Sequence, residues 1–248
     1  MPPERARTPD WRDADAYAPL LDVDRSGFAW EWLRRDRDYR AGGQDRDAAR
    51  WGLHAFEDPE RDAIAARPVW RRGMFPFVLE VGAADEGAVD DRFDVERLAP
   101  FATLVTSPEG TEHWLLSDGR RPIRIDVAEG TLRTGPVLLR YRLAGFAGAQ
   151  APLLVLRRLF ALWRSGDFSR ALHPGEPRAA RWILVLRAGD ALAAGASQRE
   201  IAECLLGREA ARRRWRVEAS SLRSRAQRLV REARRMAAGS YRELLAGG

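Results

Sequence analysis

Six arginines, Arg223, Arg225, Arg228, Arg231, Arg234 and Arg235, recur over residues 223–235. Placed at about 100° per residue, they share one side of a helix, while Leu222, Ala226, Leu229, Val230, Ala233, Met236 and Ala237 gather in the opposite arc. Ser224 and Gln227 stand in the middle of the arginine face, and Ser220 and Ser221 precede it. Guanidinium forks fit guanine edges and phosphates, Gln fits adenine, and a hydroxyl fits either. A helix that buries one stripe and presents such side chains is what the DNA major groove accepts. In helix-turn-helix motifs the base-reading positions lie near the start of the second helix. Here these are Ser220, Ser221, Arg223, Ser224, Arg225, Gln227 and Arg228. Arg231, Arg234, Arg235 and the cluster Arg212, Arg213 and Arg214 are then expected on phosphates.

The plainer alternative for this helix, spanning residues 219–238, is a solvated arginine face. Glu232 is its only acid, which favours a polyanion. The apolar arc is short and Ala-rich for a coiled coil, and it has no Phe or Trp to enter a membrane surface.

A reading helix needs a partner that holds it. Ser197-Gln198-Arg199-Glu200 is a capping box: the Ser hydroxyl takes a backbone N–H three residues on, and Glu200 reaches back. It opens a short helix over residues 197–206, with Ile201 and Leu205 one turn apart and Gly207 as terminator. Ala202 is small enough to let a second helix cross closely. Arg199 on this first helix joins the candidate DNA contacts.

Charge distribution supports the same region. All 42 basic residues are Arg, and the formal net charge is +6. Arginine content of this kind reflects GC-rich coding and says little by itself. Residues 178–248, however, hold 16 Arg against 7 acids, a net of +9, and the rest of the chain is net −3. A localised basic unit points to double-stranded DNA as partner, with anionic lipid second.

The 248 residues, 45% hydrophobic, exclude a largely disordered chain. There is no apolar run of transmembrane length and no secretory signal pattern at the start, so a cytoplasmic, nucleoid-associated protein is expected. The elements fall into an α+β order with three parts. Residues 1–50 form an N-terminal helical segment, with Ser26 as N-cap of a helix reaching Tyr39 and with Trp11, Tyr17, Trp30 and Trp32 as core or docking aromatics. Residues 51–150 form a central antiparallel β meander. Its candidate strands are 68–70, 75–81, 111–116, 122–127 and 137–143, with a hairpin at Asp118-Gly119. The alternation of Ile123, Ile125 and Val127 with Arg124 and Asp126 predicts a half-exposed strand. Residues 151–248 form an all-α unit with the helix-turn-helix. Its earlier helices run over 153–163 and 178–194, joined by His173-Pro174-Gly175-Glu176-Pro177.

Other chemistry finds little support. His54, His113 and His173 have no metal-ligand spacing, and Cys204 reads as a small core residue. No P-loop or dinucleotide fingerprint is present. No catalytic residue, metal or cofactor is assigned, and an enzyme is disfavoured.

Several segments carry a resemblance. Residues 190–202 (DALAAGASQREIA), Trp215, Leu222-Arg223-Ser224-Arg225 and Gly239-Ser240-Tyr241-Arg242-Glu243-Leu244-Leu245 are similar to the C-terminal DNA-binding domain of a proteobacterial transcription-factor family formerly of unknown function. That family includes activators of type VI secretion clusters and of integrative conjugative elements. Pro9-Asp10-Trp11-Arg12 and Trp30-Glu31-Trp32-Leu33-Arg34-Arg35 resemble the transcriptional-regulator-like domain that precedes it. Ser240 departs from the family pattern, which has a second Gly there. The resemblance implies a bacterial transcription activator of transfer or secretion genes. It is expected to act as a dimer or higher homo-oligomer, with RNA polymerase or an antagonist protein as further partner candidates. The rival readings are an adaptor or anti-activator, and a DNA-binding accessory factor for excision or transfer.

Overall fold

The computed structural model describes residues 8–42, 47–207 and 219–246. Near the N-terminus, α1 (Arg25–Leu33) begins at Asp24, whose carboxylate accepts the Gly27 N–H at 3.1 Å. Ser26, expected as the cap, lies inside the first turn and donates its hydroxyl to that same carboxylate at 2.7 Å. The helix does not continue to Tyr39. Asp36 accepts the backbone N–H groups of Asp38 and Tyr39, and this new cap starts α2 (Arg37–Gly42). Trp11, Tyr17, Trp30 and Trp32 are all buried, as core anchors should be.

The centre is a six-stranded sheet in the order β2-β6-β1-β5-β4-β3. The strands are β1 (Val78–Ala84), β2 (Arg92–Phe93), β3 (Ala102–Thr106), β4 (Glu112–Ser117), β5 (Pro122–Glu129) and β6 (Val137–Arg142). β4 and β5 form the hairpin expected around Asp118-Gly119, and β3 extends it as a meander. β6 does not. β1 pairs parallel with β5 and antiparallel with β6, so it occupies the edge of β5 that β6 was expected to take. The fold is therefore α+β with a mixed sheet. Gly130 marks the crossing: its φ is +74°, and a Cβ there would lie 2.1 Å from the Ala83 carbonyl oxygen. Residues 68–70 contribute only an isolated bridge between Leu53 and Trp70.

Helix α3 (Phe146–Ser165) begins earlier than expected and holds Pro152 near its start. Its Val155, Leu156, Leu159 and Leu162 pack with Trp114, Leu116, Ile123, Ile125 and Val127 in one core. A second core joins the two ends of the chain. It contains Trp11, Tyr17, Phe28, Trp30 and Trp32 together with Trp182, Leu186, Leu229, Ala233 and Tyr241. The face of β5 bearing Arg124 and Asp126, expected to be half-exposed, is covered. Arg124 is 1% exposed and donates to the Trp114 carbonyl at 2.5 Å, the Trp70 carbonyl at 3.2 Å and Asp126 Oδ1 at 2.9 Å. The covering segment supplies that Trp70 carbonyl, which is why a guanidinium can be buried there.

Candidate nucleic-acid interface

Three helices form the candidate interface: α4 (Ala179–Ala193), α5 (Gln198–Leu205) and α6 (Ala219–Arg235). The capping box is present as expected. Glu200 accepts the Ser197 N–H at 2.8 Å, and Ser197 Oγ accepts the Glu200 N–H at 3.3 Å. Ile201 and Ala202 are buried toward α4 and α6, and the partly buried Cys204 packs against the same core.

α6 divides into two faces. Ala226, Leu229, Val230, Ala233 and Met236 are buried, with Leu229 and Ala233 fully so. Arg223, Ser224, Arg225, Gln227, Arg228, Arg231, Arg234 and Arg235 are all exposed. Arg181 of α4 and Glu232 of α6 form an ion pair at 2.5 Å between the two helices. Arg235 lies 3.8 Å from Glu243, and Arg199 pairs with Glu203 at 2.8 Å. Among the described residues Arg223, Arg225, Arg228, Arg231 and Arg234 make no ion pair. Ser220 and Ser221 lie on the first turn of α6, and Arg212, Arg213 and Arg214 fall outside the described residues.

The helix ends sooner than residue 238. Met236–Ser240 forms a π-helical turn, and this wider turn rotates Ala237 out of the apolar arc to an exposed position. Gly239 takes φ +111°, whereas among the described residues none other than glycine has a positive φ. The terminal turn thus needs one glycine, and Ser240 is compatible with it. The chain then enters α7 (Arg242–Leu245), where Tyr241 and Leu245 are buried against α1.

The N-terminal segment holds α4 from the other side. Arg35 reaches Asp190 through Nε at 2.7 Å and Nη2 at 2.9 Å, and Tyr17 donates its hydroxyl to the same carboxylate at 2.7 Å. Glu31 completes the group by pairing with Arg34 at 2.9 Å and also with Arg35. Burial alone would raise the Glu31 pKa, but Arg35 and Arg34 hold it below the usual carboxylate range. Burial and the Asp190 charge both push the Tyr17 phenol upward. Arg187 donates to the Trp11 and Arg12 carbonyls at 2.9 and 3.1 Å. Phe28 meets Trp182 edge-on at 5.1 Å. Apart from Glu31 with Arg34 and Arg35, which are one helical turn apart, these partners lie more than a hundred residues from one another and are not visible as local spacing.

The fold also assembles a cluster that spacing could not reveal. His54, His113 and Asp126 bring their ligand atoms within 4.8 Å of one another. The two imidazoles stack at 3.5 Å, and His113 Nδ1 lies 2.8 Å from Asp126 Oδ1, which also accepts from Arg124. Stacked rings do not aim both lone pairs at one point, and the Arg124 guanidinium opposes a cation. The arrangement is a packed polar contact between the 51–77 segment and the sheet.

Comparison with known families agrees with this geometry. Residues 144–246 match the model described as the DNA-binding domain of a type VI secretion transcription factor (RovC_DNA-bd), a span that includes all helices from α3 to α7. Residues 10–70 match the proteobacterial transcriptional regulator-like domain. Together they cover about two-thirds of the chain. A comparison with curated proteins returns no match. The chain therefore joins an N-terminal domain of the proteobacterial transcriptional regulator-like type to a C-terminal transcription-factor DNA-binding domain.

Proposed function

We propose that this DNA-binding transcription regulator is a sequence-specific activator of secretion or mobile-element transfer genes, and that it reads the major groove with the first half of α6. The observation that carries this reading is the exposed face of Arg223, Ser224, Arg225, Gln227 and Arg228 on a helix whose other face is fully buried. Side chains of the types that recognise base edges project from a rigid support. Arg231, Arg234 and Arg235 continue along the same face and contact flanking phosphates, as do Arg199 on α5 and the Arg212–Arg214 cluster. The chemistry is recognition, so the chain works without a catalytic group or cofactor, in the cytoplasm at the nucleoid.

A single helix-turn-helix covers a short site, so two copies on paired half-sites supply the specificity. The aromatics of the N-terminal segment are buried and unavailable for that contact. Phe146, Leu153 and Phe160 are exposed on α3 at heptad spacing, beside exposed Tyr141 and Leu143. This is the seam two copies of α3 share in a symmetric pair. RNA polymerase is then the partner of the DNA-bound dimer.

Fluorescence anisotropy with promoter and scrambled duplexes tests the reading. Selective binding by the wild type that Arg225→Ala weakens, with relaxed discrimination at one base-pair position, supports it. Equal binding to both duplexes reduces the protein to an accessory DNA binder, and no binding makes it an adaptor. Reporter activation in a heterologous host distinguishes an activator.

A further inference from the structure

A cavity of about 310 Å³ lies where the two cores meet. Its apolar wall is made by Phe75 and Phe77 ahead of β1, Leu154 of α3 and Leu244 of α7, and residues 174–177 of the linker line one side. Its volume is at the low end of the ~300–1,000 Å³ range of ligand pockets, which suits a molecule of about a dozen heavy atoms. Two charged side chains face this apolar space. Asp24 caps α1 through Oδ1 alone, and its Oδ2 accepts no hydrogen bond among the described residues. Arg158 donates Nε to the Leu172 carbonyl at 2.9 Å and makes no ion pair among the described residues. The other two charges at the rim, Arg25 and Glu176, pair with each other at 2.8 Å.

We propose that this cavity binds a small apolar amino acid as an effector of the regulator, its carboxylate on Arg158, its ammonium on Asp24 and its side chain among Phe75, Phe77, Leu154 and Leu244. Charge balance selects the class. An anion alone leaves Asp24 uncompensated in an apolar wall, and a cation alone leaves Arg158 so; a zwitterion satisfies both. Burial raises the Asp24 pKa against the influence of Ser26, Gly27 and Arg158, and lowers that of Arg158 against the influence of Asp24; the two opposite charges already favour one another, and a zwitterion preserves that balance. The walls come from both cores and from the linker that leads into α4. A ligand there bridges the sheet unit to the helices that carry α6, and couples to DNA affinity to the extent that it binds the DNA-bound form differently. That coupling rests on the DNA-reading function proposed above, but occupancy of the cavity does not.

Calorimetry on the full chain without DNA tests occupancy, with L-phenylalanine, L-leucine, phenylacetate and phenethylamine as probes. L-Phenylalanine or L-leucine is expected to bind with Kd of about 0.1–1 mM, and the two single-charge probes about tenfold or more weaker. Asp24→Asn keeps the cap of α1, because Asn caps as well as Asp. It should lose the amino acids and gain phenylacetate, a switch that misfolding cannot produce. Leu154→Trp, which fills the cavity, should abolish all binding with the circular dichroism spectrum unchanged. Binding of none of the four probes, equal binding of phenylacetate by the wild type, or an unswitched Asp24→Asn overturns the assignment. DNA anisotropy with and without L-phenylalanine is read separately. A protein that binds the amino acid but not DNA retains the cavity assignment and loses only the DNA-reading proposal.

Discussion

The same residue does opposite work in two regions of this molecule. In the N-terminal and sheet region, Arg34, Arg35 and Arg124 are buried or nearly so. Each is held by carboxylates and carbonyls in fixed geometry. On α6, Arg223, Arg225, Arg228, Arg231 and Arg234 are exposed, with no ion pair among the described residues. A guanidinium suits both settings because it is planar, always charged and only weakly hydrated. Arginine content therefore says little about function. What separates the two classes is whether the fold places acceptors around the side chain: the first class joins elements to one another, and the second is left to meet a partner.

Substitutions can break this division, and the largest effect lies in the support beneath the exposed face. Leu229→Asp puts a charge at a fully buried position where α6 faces α4 and α5. It should cost 4 kcal/mol or more, on the order of the most destabilising single substitutions, and leave the C-terminal helices unfolded by circular dichroism. Next comes the Asp190 junction. Asp190→Ala strips Arg35 of its bidentate partner and Tyr17 of its acceptor in a buried setting. A loss of about 3–5 kcal/mol is expected in urea denaturation. If an Asp190→Ala protein were as stable as an Arg231→Ala protein, buried and exposed arginines would be energetically alike and the contrast would fail.

What could be read from the sequence follows the range of the interactions involved. The capping box at Ser197, the hairpin at Asp118-Gly119 and the two faces of α6 are local patterns, set within a few residues, and all three appear in the fold. The position of β6 was not legible. Residues 137–143 could be read as a strand, but the strand beside it is chosen by β1, more than fifty residues earlier. Arg124 and Asp126 read as exposed because a polar alternation looks the same whether water or the Trp70 carbonyl receives it. Asp24 displaced Ser26 as cap for a similarly small reason, since both residues cap helices well and only backbone geometry decides. For the interface, the exposed and buried sets on α6 could be read directly. The Arg35–Asp190–Tyr17 group that holds α4 in place could not.

The buried side of the comparison also predicts a pH response. Burial, then the neighbouring His113 and Arg124, push the His54 pKa down to about 4, and burial does the same to His173. Both imidazoles are neutral in the native state, while the unfolded chain takes up protons below about 6.5. Their contribution to stability is therefore complete above pH 6.5 and is lost as pH falls toward 4. His54→Phe keeps a ring stacked on His113 and removes the titrating group. Its thermal midpoint should fall less steeply than that of the wild type between those pH values, with the residual slope coming from His173 and the carboxylates. An unchanged slope would mean that His54 is as solvated in the fold as in the unfolded chain.

The smallest effects are expected on the exposed side, and they separate readers from anchors along one helix. Arg223 and Arg225 lie near the start of α6, and Arg234 lies about two and a half turns further on. If the start of the helix enters the groove, Arg223→Ala or Arg225→Ala removes a base contact. Specific binding then weakens by about 1–3 kcal/mol, and discrimination relaxes at one base-pair position. Arg234→Ala removes at most a phosphate contact. It should weaken specific and scrambled duplexes alike and reduce the slope of log affinity against log salt by about 1. None of the three substitutions should alter the melting temperature noticeably, because none of these side chains is buried or paired among the described residues. Anisotropy titrations at several salt concentrations measure both quantities in one series. A uniform loss from all three variants would make α6 a phosphate-binding helix lying along the backbone. No loss from any would leave its arginines as solvated charge and move sequence recognition elsewhere in the chain.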